Sequence, residues 1–477
     1  MASANLATIP TGLTIDYIQT VGPGYSTPAT FSAGTTYFVS GPVYCGFVVM
    51  ESAVFKYPNS TGNGAVTAFI EVSGALTLKT SSYCPAIFTA GDDDSVGLTL
   101  DGTWNNYSGM TAGAWYANPS LNLTYNSASL SNMRFLYCQE AVKAGGTQTS
   151  AFTIKHAQFV DCLRAIKLEG GSGCGCGCCG TFLTGENILM AQVQYPITSS
   201  LPFTHSASFY HCTVDGTTTP PSQLITETGS YGALTFVNSI VANISIQTSG
   251  CAACLGNNLG FWNCPTAVQF GNTASRTVAP ASPSPFQVVD FGAHYLSGNS
   301  PFRTQGTTSI PSGLLSDLKG RTTSPPISLM PQMSLSGQLT FFPQTPRYIS
   351  GSPDLGYYYD VLDFTSGGMV VEGATITVLP GTAIGLRTDF YVGHGHYQPW
   401  IYYLGFDVWE GSQFISQGTP TSPITYASAR YVQEGPYPWY VGDEYSLLAF
   451  DLDFVQQPSG DPSPILGYSG NLVAEFG

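Results

Sequence analysis

Phe135-Leu136-Tyr137-Cys138 returns as Phe159-Val160-Asp161-Cys162 and as Phe209-Tyr210-His211-Cys212. It returns again as Phe236-Val237-Asn238-Ser239 and as Phe261-Trp262-Asn263-Cys264. The Phe-to-Phe intervals are 24, 50, 27 and 25, so the 50 reads as two units. A unit of about 25 residues, apolar and rich in Gly, Ser, Thr and Asn, is the signature of a solenoid of parallel β-coils. In such a stack Phe135, Phe159, Phe209, Phe236 and Phe261 are expected to form one internal aromatic column. Cys138, Cys162, Cys212, Ser239 and Cys264 are expected to form a second column of small side chains. Neighbouring coils would lie ~4.8 Å apart. A one-residue slip would turn every Phe outward, so the repeat itself specifies the register.

Outside the repeat the same pattern continues. Thr36-Tyr37-Phe38-Val39, Gly46-Phe47-Val48-Val49, Ala53 to Tyr57, Ala68 to Val72 and Leu76 to Lys79 are short β-branched and aromatic runs between Gly, Pro and Asn turns. No long stretch carries a helical apolar period with good helix formers. The fold class expected is all-β. Residues 1–274 read as an N-terminal coil stack with a Cys-rich insertion. Residues 275–350, with Ala281-Ser282-Pro283-Ser284-Pro285 and Ser324-Pro325-Pro326-Ile327, read as a Pro/Ser/Thr-rich excursion packed on the stack. Residues 351–477 read as its continuation, and Val408-Trp409-Glu410-Gly411-Ser412 echoes Val49-Met50-Glu51-Ser52.

Charged residues make up 9% of the 477, far below the ~25% of ordinary soluble domains. The surface must therefore be built from Ser, Thr, Asn, Gln, Gly and Tyr, a composition of extracellular β proteins. Fourteen Lys and Arg against 29 Asp and Glu leave a net charge of −15 and no footprint for a phosphate backbone, which argues against nucleic acid. No run of about 20 apolar residues provides a transmembrane segment. Met1-Ala2-Ser3-Ala4-Asn5 lacks a basic start and an apolar core, so the composition suggests a mature segment whose leader has been removed. The expected location is extracellular or cell-surface.

All twelve cysteines lie between Cys45 and Cys264. In Gly173-Cys174-Gly175-Cys176-Gly177-Cys178-Cys179-Gly180, an extended strand would put Cys174, Cys176 and Cys178 on one side and Cys179 on the other. A disulfide-stapled loop in an exported protein is the first reading. The alternative is a soft-metal site, completed by Cys251-Ala252-Ala253-Cys254, although no His stands in the cluster. The column cysteines read as inert packing, with disulfides between adjacent coils as the alternative. Asp92-Asp93-Asp94 offers hard oxygen ligands for calcium, against a plain reading as solvated loop charge; Asp360 and Asp363 are a weaker second set. Tyr397, Trp400, Tyr402, Tyr403, Trp409, Tyr437, Trp439 and Tyr440 crowd the C-terminal part, where they serve as core or as stacking faces for sugars or another subunit. Asn59, Asn106, Asn122 and Asn243 open N-x-S/T triplets.

Cys84 through Gly97, His294-Tyr295-Leu296 with Asn299 through Arg303, Ser352 through Tyr357, and Gly411 through Thr421 carry a resemblance. They resemble phrases of large secreted bacterial right-handed parallel β-helix repeat proteins, similar in fold to pectin lyases. The similar segments are spread from about residue 40 to about residue 435. The resemblance implies a right-handed parallel β-helix and export, and little chemistry, because that fold hosts lyases, hydrolases, adhesins and passive fibres alike. Gly393-His394-Gly395-His396 resembles the Gly-His-Gly of polygalacturonase-like hydrolases, where a His assists paired aspartates. The aspartate partners, and the Arg or Lys base of the lyases, are not found here. The expected function is a secreted, non-catalytic structural or adhesive protein. Its open C-terminal coil, after Leu447 through Phe454, would recruit further copies into a head-to-tail filament. The alternative is a polysaccharide-binding or polysaccharide-degrading protein of the same fold.

Overall fold

A computed structural model describes residues 18–474 apart from 25–28, 62–64, 94, 99, 101–113, 126, 146–148, 171–179, 201–204, 218–219, 228–230, 247–253, 266–271, 274, 330–333, 368, 387, 392–400, 405, 409–410, 436–447 and 451–470. The protein is all-β, built on long parallel sheets, with one short α-helix at Ser312–Asp317 among the described residues. A 13-stranded sheet runs from Ile18–Val21 to Arg276–Val278, and every pairing in it is parallel. A seven-stranded parallel sheet and a three-stranded one share its core. The chain visits them in rotation: Thr36–Val39 in the long sheet, Pro42–Cys45 in the seven-stranded, Val48–Met50 in the three-stranded, then Val54–Tyr57 back in the long sheet.

Side chains in register build the interior. Tyr37, Phe55, Phe88, Phe135 and Phe159 are successive partners. Their rings stack with centroids 5.5, 4.7, 4.7 and 5.1 Å apart and interplanar angles of 8° to 19°. Each ring removes ~150–250 Å² from water, and offset stacking adds to that burial. The seven-stranded sheet answers with an aliphatic column: Val43, Ile70, Leu121, Val142, Ile166, Ile197 and Ile225, every one fully buried.

The expected single Phe column is two columns. Phe159 is followed in register by Met190, Val214, Val241 and then Phe261. Phe209 and Phe236 stack on each other at 4.9 Å, five residues before the first column along their strands, opposite Gly185 and Gly256. A Cβ on Gly185 would come within 2.4 Å of the Phe209 ring, so that glycine makes room for the second column. Sequence intervals along the first column, from Phe135 to Phe261, are 24, 31, 24, 27 and 20. The expected period therefore holds as a mean while the individual spacings vary.

The backbone explains why one phrase serves two columns. Its third residue has positive φ in all five copies: Tyr137 61°, Asp161 48°, His211 53°, Asn238 51° and Asn263 49°. The phrase thus encodes a buried ring, a left-handed bend and a small buried residue. Asn, Asp and His tolerate that region best among residues with a Cβ. Each long strand such as Ser150–Val160 carries one such bend inside it and another just past its end. The phrase marks the end bend in three copies and the inner bend in two.

The small-residue column divides the same way. Cys138 and Cys162 are neighbours, and the Cys212 amide donates to Ser239 Oγ at 3.1 Å. Cys45, Cys84, Cys138, Cys162 and Cys212 are free thiols, and the Cys264 thiol donates to the Trp262 carbonyl at 3.2 Å. Packing and not cross-linking therefore describes the column. Burial pushes the Cys212 thiol up to about 12 and Cys45 up to about 11. A thiol held protonated and out of water is unreactive. Native alkylation with iodoacetamide at pH 8 should therefore label exposed Cys84, and label Cys45, Cys162 and Cys212 only after denaturation, as read by peptide mass mapping.

Residues beyond 280 form separate sheets. An antiparallel pair, Phe286–Val289 with Gly292–Leu296, precedes the helix. Ile327–Leu329, Phe364–Ser366, Ala383–Leu386 and Thr425–Ser428 make a four-stranded parallel sheet. Ser334–Phe341, Met369–Val378 and Gln413–Ser416 belong to a parallel sheet with a core of its own around Ile376 and Phe414.

Candidate functional site

The inner bends line up as a ladder. Asn132, His156, Asn187, His211, Asn238 and Asn258 all have φ between 51° and 54° and are skipped in the pairing of successive strands. The side chains of His156, Asn187, His211, Asn238 and Asn258 meet a strap made of residues 305–321 and 354–360, laid across the long sheet. Asn187 Nδ2 donates to the Tyr358 carbonyl at 2.8 Å, and its Oδ1 accepts from the Tyr358 amide at 2.7 Å. Asn238 clasps Thr307 in the same two-bond manner, at 2.7 and 2.8 Å. Asn258 Nδ2 donates to the Gln305 carbonyl at 2.6 Å. An amide side chain that both gives to and takes from one residue's backbone reproduces a β-ladder pair, and satisfies a strap that forms no long strand.

The ladder's two imidazoles are neutral. Burial lowers His211 to about 3, and its Nε2 accepts from Asn238 Nδ2 at 2.9 Å. Burial, with Arg321 and Lys155 nearby, lowers His156 to about 2. Its Nδ1 lies 3.2 Å from Asn187 Nδ2, and Nε2 lies 3.3 Å from Asp317 Oδ2. Since Asn187 Nδ2 can only donate, the imidazole proton sits on Nε2 and points to Asp317. Asn238→Asp keeps the bend but removes the donor to Thr307 and sets a carboxylate against its carbonyl. A loss of about 1–3 kcal/mol follows, visible as a lower urea midpoint and as faster proteolysis of the strap near residue 307.

Three distant segments meet at a second polar centre. His294 lies between Glu434, 2.6 Å from its Nδ1, and Asp215, 2.9 Å from its Nε2. All three are buried. Burial alone would lower His294, but the two carboxylates outweigh it and raise it to about 10, so the ring is an imidazolium. Burial likewise works against the Glu434 carboxylate, yet the His294 bond and charge hold it below the ordinary range. Tyr359 OH donates to Glu434 at 2.8 Å, the Ala293 amide donates at 2.7 Å, and Asn243 donates to Asp215 at 2.7 Å. The imidazolium ties the long sheet, the hairpin and the segment after Ala429–Tyr431 into one latch. Arg134 on the long sheet adds a bond to the Gln433 carbonyl at 2.6 Å.

No family model, curated protein or solved structure matches this chain. The functional reading therefore rests on the geometry. Asp93 takes bonds from Thr89 and Ser95, and Asp92 accepts from Tyr116 OH at 2.6 Å; Asp94 lies outside the described residues. Asp360 pairs with Arg321 at 2.7 Å, and Asp363 is caged by the Gln344, Thr345 and Ala383 amides and by Arg347. Cys174, Cys176, Cys178 and Cys179 lie outside the described residues, as do His394, His396, Tyr397, Trp400, Trp409 and Trp439. Among the described residues no group of three or more His, Cys, Asp or Glu is placed to hold a metal ion. No described helix is long and apolar enough to cross a membrane. Asn122 and Asn243 of the N-x-S/T triplets donate to Glu71 and Asp215.

Sequence reasoning missed the latch because its members are far apart in the chain and obey no spacing rule. The usable signal was scarcity. In a chain with 9% charge, a His beside a Tyr in an apolar strand is a candidate for a buried partner.

Proposed function

We propose that this chain is a secreted right-handed parallel β-helix, with coils of about 25 residues, acting outside the cell as a structural or adhesive scaffold that assembles head to tail. The observation that carries the reading is the in-register parallel stacking of the 13-stranded sheet, with the chain returning on successive passes to a seven-stranded parallel sheet that shares its core. The 9% charge content supports an extracellular setting, and the strands that stand at the ends of the long sheet among the described residues, Ile18–Val21 and Arg276–Val278, offer backbone for a further copy. The polar ladder and the latch support a bracing role, because their bonds are internal and join strands to strap.

Electron microscopy and light scattering of purified protein at micromolar concentration test the proposal. Rods joined end to end, growing with concentration, are the expected result. A monodisperse monomer at every concentration removes the assembly. Reducing ends or unsaturated products released from a panel of neutral and acidic polysaccharides would replace the scaffold with an enzyme.

A further inference from the structure

The strap clasps the ladder at Asn187, Asn238 and Asn258, but among the described contacts Asn132 makes no such clasp. Its Nδ2 donates to the neighbouring Ser131 Oγ at 3.1 Å. Asn132 and His156 instead line a crevice of about 340 Å³ between the long sheet and the strap, with Ser82, Lys155, Asp317 and Arg321 around them. That volume sits at the small end of ligand pockets, about 300–1,000 Å³. Below it a void of about 10 Å³ shares Asn132, His156 and Asp360 with the mouth and is lined by Arg134, Gln158 and Tyr357.

Two groups at this floor are unmet by the described residues. Arg134 is 4% exposed and Gln158 3% exposed, yet Arg134 Nε and Gln158 Oε1 have no hydrogen-bond partner there. Their other atoms are engaged, Arg134 with the Gln433 carbonyl and Gln158 with the Val432 carbonyl and Tyr357 OH. A buried donor and a buried acceptor on the register partners Arg134 and Gln158, lining a void of about 10 Å³ that shares residues with a polar mouth, match a single bridging water that can both accept and donate.

The charges nearly cancel. Lys155 pairs with Glu186 at 2.7 Å and Arg321 with Asp360 at 2.7 Å, leaving Arg134 at the floor and Asp317 at the rim. Such a site has no strong preference for an ion of either sign. The mouth is walled by polar side chains and Gly320, with no apolar residue among its lining, so it offers no seat for a peptide's apolar side chains. Hydroxyl groups suit it, since each gives and takes a bond. Asn132 adds the fork with which Asn187 and Asn238 hold backbone amides along the same ladder.

We propose that this crevice is a binding site for a neutral saccharide carrying a secondary amide, an N-acetylhexosamine, whose amide is clasped by Asn132 and whose hydroxyls meet the charge-paired walls. The site stands whether or not the chain forms filaments.

Saturation-transfer difference NMR and calorimetric titration of the full chain with N-acetyl-D-glucosamine test it, beside D-glucose, D-glucuronate and N-acetylglycinamide. N-acetylglucosamine should bind at least tenfold more tightly than each of the other three. Asn132→Asp and Asn132→Gly both suit φ of +52° and should keep the wild-type melting curve while weakening the sugar at least tenfold. Failure of N-acetylglucosamine to bind the wild type overturns the proposal, as does equal binding of glucose. Tighter binding of N-acetylglycinamide makes the crevice a peptide site, and tighter glucuronate makes it an anion site. Unchanged affinity in both Asn132 variants, with binding otherwise intact, also overturns the assignment.

Discussion

His294→Ala should cost about 3–5 kcal/mol, because it strands two buried carboxylates, Asp215 and Glu434, without their shared cation. The measurement is the urea midpoint at pH 6, followed by tryptophan fluorescence. The wild type should also carry a characteristic pH profile. His294 is raised from 6.5 to about 10 on folding, so its contribution is complete below pH 6.5 and lost as the pH climbs through about 10. Glu434 is lowered from 4.5, so its contribution is present above 4.5 and lost as the pH falls below that. Both are complete only between about 4.5 and 6.5. The loss of stability between pH 6.5 and about 9, below the range in which the buried thiols and phenols contribute, should vanish in His294→Ala. An unchanged limb would show that other groups control it. Tyr359 and Tyr295 face the same centre, and burial pushes both phenols well above their ordinary range, so they ionise first in the unfolded chain and their own loss of stability begins only above about pH 10, beyond the His294 limb.

Phe135→Ala should be equally severe, at about 3–5 kcal/mol. Its ring lies between Phe88 at 4.7 Å and Phe159 at 5.1 Å and is fully buried. Truncation removes two stacking contacts and opens a hole bounded by rungs fixed through backbone hydrogen bonds, so the walls cannot collapse onto it. Phe135→Leu, which nearly conserves volume, should lose under about 1.5 kcal/mol. Hydrogen exchange should locate the damage in Ala86–Ala90, Ser127–Leu136 and Ser150–Val160, and leave Met369–Val378 protected. Uniform loss of protection across both cores would contradict the column as a nearest-neighbour device.

The contrast between these two substitutions measures what a sequence can disclose. Phe135 and Phe159 were legible because adjacent rungs place like residues in contact, and that contact writes itself into the spacing. Phe209 was assigned to the wrong column for an instructive reason. The phrase around it describes a bend, and each rung bends twice, so equal words fell at unequal positions. Tyr37, Phe55 and Phe88 extend the stack without the phrase, since no bend follows them at the same offset. The latch at His294 and the crevice at Asn132 were beyond reach. Both arise where segments remote in the chain are folded against one face, and no local pattern records such a meeting.

The unequal rung lengths carry a practical meaning for engineering. Val241 and its partner Phe261 stand much closer in sequence than Phe159 and its partner Met190, while hydrogen-bonded register survives across both steps. Length is absorbed at the connections, and the paired positions stay fixed. A foreign peptide spliced into such a connection should consequently leave the paired positions undisturbed, making the molecule a ruler on which passengers can be mounted at chosen intervals.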